Sequence, residues 1–480
     1  MNSSVQALQD VSSDTPLSAL FNTQKNAYLN SPIPTYQQRK NNLINLKKML
    51  SENRDAIIEA IDKDYGSRSW HESVFAEFIA VFDSLAFITK NVRKWMKPQK
   101  RHVDFTMFPG AKNLLTPQPL GVVGIIVPWN FPINLSFIPI ATALAAGNRA
   151  MVKMSENSIH LSELLTQISP KYFPQDTLTF LVETGGVGIE LSSLPLDLIL
   201  FTGSVNTGKA VMASAAKNLT PVILELGGKS PAIIDPEYSI DKAIERIMYA
   251  KQMNAGQICL NVDYVFVHES QVDTFTEKAK TWVKQHVADI NSTDYTAVID
   301  SRSVTRLEET LTNASENGAT VINLNNQDID HDNKKFPLHL VLNSTASMHI
   351  RERETFGPIL LVMSYQNPEE VINYVNSHDR PLGLYVFSNN KSLTNRYITH
   401  IMSGGVTVND TLLHAFQDDM PFGGVGPSGM GHYHGYEGFA SFSKMRPVFY
   451  QSKFSAMGML LPPYRDNLTK AYHFLLKLKG

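Results

Sequence analysis

Three side chains stand where their chemistry could matter. Cys259 ends the run Asn254-Ala255-Gly256-Gln257-Ile258-Cys259 and is the single cysteine of 480 residues. As a thiolate it would be a nucleophile; as a thiol in an apolar setting it would be a small buried hydrophobe. Glu225 closes the apolar run Val222–Leu226 and is followed by Gly227-Gly228-Lys229. Paired glycines let backbone come close to a neighbouring group. A glutamate buried at such a strand end is costly, so it either pairs with a cation or is kept for proton transfer. Asn130, in Pro128-Trp129-Asn130, follows the apolar run Val122–Val127. It offers an amide at a second strand end, and an ordinary loop asparagine would look the same.

A fourth feature is the turn Thr202-Gly203-Ser204-Val205-Asn206-Thr207-Gly208-Lys209-Ala210. After a strand and before a helix, such glycines admit a pyrophosphate to backbone N–H groups. The segment nearly spells a P-loop, but Ala210 stands where the hydroxyl that holds magnesium is required. The standard dinucleotide fingerprint fails as well, because Gly186-Val187-Gly188 is followed by Leu191 in place of the third glycine. A plain tight turn remains open.

The elements that would carry these residues can be read from periodicity. Leu43, Leu46, Leu50, Ile57, Ile58 and Ile61 recur at helical spacing over Tyr36 to Asp64, Phe75, Phe78, Phe82 and Leu85 continue the pattern, and Pro98 closes it. Val103, Phe105 and Met107 alternate before Pro109-Gly110, which predicts a hairpin that ends near Pro117 and Pro119. From Gly121 the rhythm becomes strand, helix, strand: Val122–Val127, Leu135–Ala146, Ala150–Lys153, a helix near Leu161, Leu178–Val182, Leu196–Phe201, a helix from Asn206, and Val222–Leu226. Such alternation means parallel strands with helical crossovers, and ligands of such sheets sit at the carboxyl ends of the strands. A further helix begins near Ile240, and Asn325–Lys335 reads as a surface loop.

Composition sets the limits. The length asks for more than one core, and 43% hydrophobic with 18% charged residues is ordinary globular usage. A net charge of -2 carries no basic footprint for nucleic acid. One cysteine excludes an intramolecular disulfide framework, and Met1–Pro16 has neither the basic nor the apolar part of a secretory signal, so a cytoplasmic location is expected. The apolar stretch Leu120–Gly147 is interrupted by Pro128, Asn130, Pro132, Asn134 and Pro139, which argues against a membrane span.

Taken together, the motifs resemble the aldehyde dehydrogenase superfamily from about Tyr36 to about Tyr450. They stand in that family's order: Pro128-Trp129-Asn130-Phe131-Pro132, Lys153 with Ser155-Glu156, Phe201-Thr202-Gly203-Ser204, Glu225 to Lys229, Gly256-Gln257 with Cys259, Glu354-Thr355-Phe356-Gly357-Pro358 and Pro421-Phe422-Gly423-Gly424. Asn409-Asp410 with His414, and the run from Pro421 through Ser428-Gly429-Met430-Gly431 to Tyr433-His434-Gly435, resemble the class 3 branch and, within it, bacterial coniferyl-aldehyde dehydrogenases. Ile258 and Asn261-Val262 depart from the family's usual Thr and Ala-Pro, which bears on substrate preference more than on chemistry.

The resemblance implies an α/β protein with a Rossmann-like dinucleotide domain (1–100 and 120–225), an α/β catalytic domain (226–420), a small β oligomerisation arm (101–119 and 443–451) and a C-terminal tail (452–480). It implies a homodimer, a small-molecule aldehyde as substrate, NAD as cofactor with NADP also accepted, and no metal. Cys259 would form the thioester, Asn130 with the Cys259 backbone N–H would hold the oxyanion, and Glu225 would activate the hydrolytic water. Lys153 and Glu156 would bind the adenosine ribose, Gly203 and Ser204 the pyrophosphate, and Glu354, Phe356 and Trp129 the nicotinamide side. An aromatic or apolar aldehyde such as coniferaldehyde is the expected substrate. An acylating relative that uses coenzyme A typically lacks the glutamate base, so Glu225 argues against that chemistry. Ala210 argues against a nucleotide hydrolase, and a cysteine hydrolase would need His414 from far along the chain.

Overall fold

The computed structural model describes residues 15–105, 107–453, 461–464 and 466–480. Most of the leading stretch read above for a signal, and residues 454–460 of the tail, lie outside the described residues.

Two helices, Tyr36–Glu52 and Arg54–Tyr65, carry the apolar stripe of the N-terminal region, and a capping box between Thr35 and Gln38 starts the first. Gly66, left-handed at φ 81°, ends the second. The Phe75 to Leu85 stripe begins in a π-helical turn, Ser73–Ile79, that runs on into the helix Ala80–Trp95. Widening by one residue per turn shifts the face that follows, and such turns concentrate at functional sites.

Among the described residues sixteen strands form three sheets. The first sheet contains β3 (Val122–Ile126), β4 (Arg149–Lys153), β5 (Leu178–Leu181), β6 (Leu198–Gly203), β7 (Val222–Leu226) and the short β15 (Gly429–Met430), in the order β15-β7-β6-β3-β4-β5. Its strands are parallel except for the β7–β15 pair. Being covered on both faces, β3 is buried at all five residues, which explains why it reads as an unbroken apolar run. The apolar stretch Leu120–Gly147 therefore resolves into β3 and the buried helix Asn134–Ala146. No helix among the described residues is long and apolar enough to cross a membrane.

The second sheet contains β8 (Ser230–Ile234), β9 (Val262–His268), β10 (Thr320–Asn323), β11 (His339–Leu342), β12 (Ile359–Tyr365), β13 (Gly383–Phe387) and β14 (Gly405–Val408), in the order β10-β11-β12-β9-β8-β13-β14. Only β10 is antiparallel. A third, antiparallel ribbon joins β1 (Gln99–Arg101), β2 (Lys112–Pro119) and β16 (Ser443–Tyr450). The ribbon agrees with the hairpin reading, but its first strand does not. Val103, Phe105 and Met107 lie after β1 in the turn between strands, where Phe105 is exposed and Asp104 accepts backbone N–H bonds from Met107 and Phe108. Val103 is buried there while Phe105 and Met107 are exposed, so alternation in residue type does not by itself mark a strand. Within Asn325–Lys335, Lys335 is buried and donates to Ser67 Oγ at 2.9 Å, so the end of that loop is anchored and not free at the surface.

Candidate active site

Cys259 follows a turn that L-residues rarely adopt. Asn254 (φ 52°), Ala255 (φ 49°) and Gly256 (φ 72°) are successive left-handed residues at the end of the helix Ile240–Gln252. Such strain persists only where the surroundings over-determine it, and here they do. Glu72 Oε2, from the turn before the π-helix, accepts the Asn254 backbone N–H at 3.0 Å. The Asn254 side chain donates to the carbonyls of Asn130 and Gln257, both at 3.1 Å. Gln257 donates to Asn254 and Ala297 and accepts the Ile299 N–H at 2.9 Å. Gly256 is required for room as well, because a Cβ there would fall 2.3 Å from the Gly357 carbonyl oxygen. Asn254 and Gln257 are site residues that the periodicity could not reveal; a polar run that is buried without a helical stripe was their only trace.

Asn130 is brought to the same turn. Its backbone carbonyl accepts from Tyr65 Oη at 3.0 Å, and its side-chain amide donates to the Gln257 carbonyl at 3.2 Å. Behind it Glu77 Oε2 accepts the N–H groups of Ile133 and Asn134, at 3.0 and 2.8 Å, at the start of the helix Asn134–Ala146. Glu77 forms a fully buried ion pair with Arg68 at 3.0 Å, and Arg68 lies over the rings of Tyr65 and Phe131.

Glu225 sits on β7 between Thr202 of β6 and Gly429 of β15. It is 2% exposed, and neither carboxylate oxygen has a hydrogen-bond partner. Burial pushes its carboxyl well above the ordinary range, which makes its carboxylate a stronger base. Of the two sequence readings of Glu225, pairing with a cation is therefore ruled out. Cys259 is half-buried, and its thiol is pushed up to about 12, first by burial and then by the nearby carboxylates Glu354 and Glu225. The N–H groups of Leu260 and of Cys259 itself act in the opposite direction. The thiol is accordingly neutral at rest and needs a base to become a nucleophile.

Glu354 approaches the glycines after Glu225. A Cβ at Gly227 would lie 2.2 Å from Glu354 Oε2, and the Gly228 N–H bonds this carboxylate. The two glycines thus serve Glu354 and not the reacting group. Burial raises the Glu354 carboxyl to about 8, with Asp263 adding to the effect. Asp263 fixes the loop by accepting the N–H and hydroxyl of Thr355 at 2.8 and 2.7 Å, while Lys229 pairs with Asp263 and Arg306 donates to the Thr355 carbonyl at 2.7 Å. Phe356, at φ 41°, stands edge-on to Trp129, with ring centres 5.6 Å apart.

Farther along the carboxyl ends of the first sheet, Lys153 is buried and paired with Glu156 at 3.1 Å and Glu183 at 2.8 Å, which excludes a surface lysine. Glu183 went unrecognised in the sequence because no spacing ties it to Lys153. Ser204 caps the helix Val205–Ala216 by accepting the Thr207 N–H, and Gly203 lies against the Phe201 ring. The N–H groups of this first turn face the end of the sheet where an anion is stabilised by the helix dipole. Val205, Gly227, Gly228 and Glu354 line a cavity of about 540 Å³. These donors, the buried cation with two carboxylates and the missing Cβ at Gly227 suit a dinucleotide. Among the described residues no group of three or more His, Cys, Asp or Glu side chains is arranged to hold a metal. His414 bonds Thr407 Oγ1 at 2.8 Å and does not line the Cys259 cavity.

That cavity, about 180 Å³, reaches Cys259 and is walled by Phe75, Phe131, Ile258, Leu412, Phe416 and Phe422 among others. Phe131, Ile258 and Phe75 line it, whereas Trp129 and Phe78 do not. Trp129 packs between Tyr65 and Phe356, and Phe78 is a core residue.

The aldehyde dehydrogenase family pattern matches residues 22–448, and the chain belongs to that family. It is 44% identical over 460 residues to a probable coniferyl aldehyde dehydrogenase of Pseudomonas aeruginosa, covering 96% of each chain. The substrate-bound structure of Staphylococcus aureus AldH superposes with a TM-score of 0.90 at 31% identity, covering 96% of this chain and 100% of that one. Betaine aldehyde dehydrogenase of Staphylococcus aureus in complex with NAD+ gives a TM-score of 0.81 at 25% identity, over 92% and 88% of the two chains. The protein is an NAD(P)-dependent oxidoreductase that oxidises aldehydes.

Proposed function

We propose that the protein oxidises an aromatic or otherwise apolar aldehyde, coniferaldehyde among them, to its carboxylate through a thioester on Cys259. The observation that carries this is the unpartnered, buried carboxylate of Glu225, next to a neutral thiol at the end of an apolar cavity. Cys259 gives its thiol proton to solvent water as Sγ adds to the carbonyl carbon, and the carbonyl π pair moves to oxygen. The Asn130 amide and the Cys259 N–H receive that oxyanion, a donor of this kind contributing on the order of 10²- to 10³-fold in rate. Bound NAD supplies the acceptor for the hydride that leaves the adduct carbon as the thioester forms. The Glu225 carboxylate takes a proton from water as that water attacks the thioester, and the Cys259 thiolate departs and is reprotonated. General base catalysis of this sort contributes roughly 10²- to 10⁴-fold.

On the same reading Lys153 and Glu156 hold the adenosine ribose, Gly203 and Ser204 the pyrophosphate, Glu354 the nicotinamide ribose, and Phe356 and Trp129 the ring. The Glu156 carboxylate suits a ribose 2′-hydroxyl and repels a 2′-phosphate, which favours NAD over NADP. The ribbon β1-β2-β16 is the arm of a homodimer, its outer strands being edges that need cover. The division at residues 1–100 with 120–225, 226–420 and the arm stands with this reading, as does a cytoplasmic location.

Glu225→Gln tests the proposal. A pre-steady-state burst of reduced cofactor should persist while steady turnover falls by about 10²-fold or more, and loss of the burst together with turnover would remove Glu225 from the deacylation step.

A further inference from the structure

After β5, at one edge of the first sheet, the chain continues as Val182-Glu183-Thr184-Gly185-Gly186-Val187-Gly188. β5 pairs with β4 so that Leu181 is in register with Lys153, which sets this turn beside the lysine at the end of β4. An ideal Cβ at Gly188 would lie 3.7 Å from Lys153 Cε. Gly185 and Gly186 stand at φ 97° and 83°, a conformation that glycine adopts without steric cost. The turn brings the N–H groups of Gly185 and Val187 onto one atom, Glu183 Oε1, at 2.8 and 3.3 Å. The other carboxylate oxygen, Oε2, lies 2.8 Å from Lys153 Nζ.

Two converging backbone N–H groups and a buried ammonium are the donors that an anion needs. Here the anion is the protein's own. Burial acts to raise the Glu183 carboxyl, but Lys153 and the two N–H groups outweigh it and hold it below its ordinary value, so the carboxylate is ionised. Glu156 shares the lysine on different terms, at 3.1 Å and with a side chain 72% exposed against 14% for Glu183. One cation between two carboxylates leaves the three side chains net negative. Of the three ammonium protons, one remains for a ligand.

We propose that Glu183 is a specificity-determining residue for the cofactor: its carboxylate fills the anion cradle that Lys153 and the N–H groups of Gly185 and Val187 would otherwise offer to a 2′-phosphate, so that NAD is favoured over NADP. This rests on the reading that Lys153 and Glu156 hold the adenosine ribose. The two acids divide the work. Glu156, with its exposed carboxylate, receives the ribose hydroxyls, whereas Glu183, whose two oxygens are already engaged, denies a phosphate on that ribose both its counter-charge and its room.

The test measures Kd for NAD and for NADP by titration calorimetry, without aldehyde, and compares the NADP/NAD ratio between proteins. Wild type should bind NAD the more tightly. Glu183→Ala should lower the ratio by about tenfold, the scale of one hydrogen bond to a charged group, chiefly through tighter NADP, and adding Lys153→Met should abolish that gain. Glu156→Gln should instead weaken NAD. Because the alanine leaves two N–H groups without an acceptor, Glu183→Gln repeats the measurement with an amide oxygen still in place, and its ratio should fall as well. A wild-type ratio in both Glu183 variants overturns the inference, and a shift in Glu156→Gln alone then leaves the ribose reading standing with Glu156 as the discriminator. A gain in NADP affinity that survives the loss of Lys153 also overturns it. Equal binding of the two cofactors by wild type overturns it outright; if Lys153→Met and Glu156→Gln are then without effect on either cofactor, the ribose reading falls with it.

Discussion

The two ends of the Cys259 cavity are built on opposite plans. At the inner end, backbone and side chains alike are tied by buried polar groups drawn from distant parts of the chain: Glu72, Tyr65 and Asn254 hold the nucleophile turn, and Asp263, Lys229 and Arg306 hold the Glu354 loop. At the outer end Phe75, Ile79 and Phe416 present exposed apolar surface with a handful of polar groups among them. The difference teaches where precision is needed. Bond formation at carbon depends steeply on the position of Sγ and the oxyanion donors, whereas an apolar wall tolerates repacking and sets only which aldehydes bind well.

That contrast can be broken by substitution. Cys259→Ala removes the atom proposed to bond the substrate, and aldehyde oxidation should fall to background while NAD binding, followed by fluorescence titration, stays close to wild type. Substantial turnover in the purified variant would end the thioester mechanism. Gly256→Ala changes nothing chemical, yet its Cβ would meet the Gly357 carbonyl at a φ of 72°. Displacement of the turn should lower kcat by roughly 10²-fold, read alongside circular dichroism to separate it from unfolding; wild-type kcat would show that the inner end is less rigid than argued. The smallest effect belongs to the rim. Phe75→Ala, at a side chain 43% exposed, should raise KM for cinnamaldehyde by about threefold to tenfold with kcat little changed, as expected for loss of part of an apolar contact. A fall in kcat as large as that of Gly256→Ala would erase the distinction between the two ends.

Much of the framework was legible from sequence for simple reasons. The strands of the first sheet are buried on both faces and so read as short unbroken apolar runs, and the helices between them carry their own caps, such as Ser204 before Val205–Ala216. Glu225 and Asn130 could be singled out because each ends or follows such a run, Cys259 because it is the single cysteine, and the order of the motifs pointed to the family. The first strand of the ribbon was misplaced by alternation at Val103, Phe105 and Met107, since a turn can carry apolar residues at every second position as a strand does.

Residue type and order alone determined the parallel-sheet architecture and the family, and singled out the thiol, carboxylate and amide proposed for the site. Only the tertiary structure decided that Glu225 has no cation, that Lys153 shares Glu183 as well as Glu156, and that Gly227 serves Glu354. The physical reason is range. Hydrophobic period and capping are set by neighbours within a few positions, whereas desolvation, ion pairing and close approach depend on which groups the fold brings together from hundreds of residues apart.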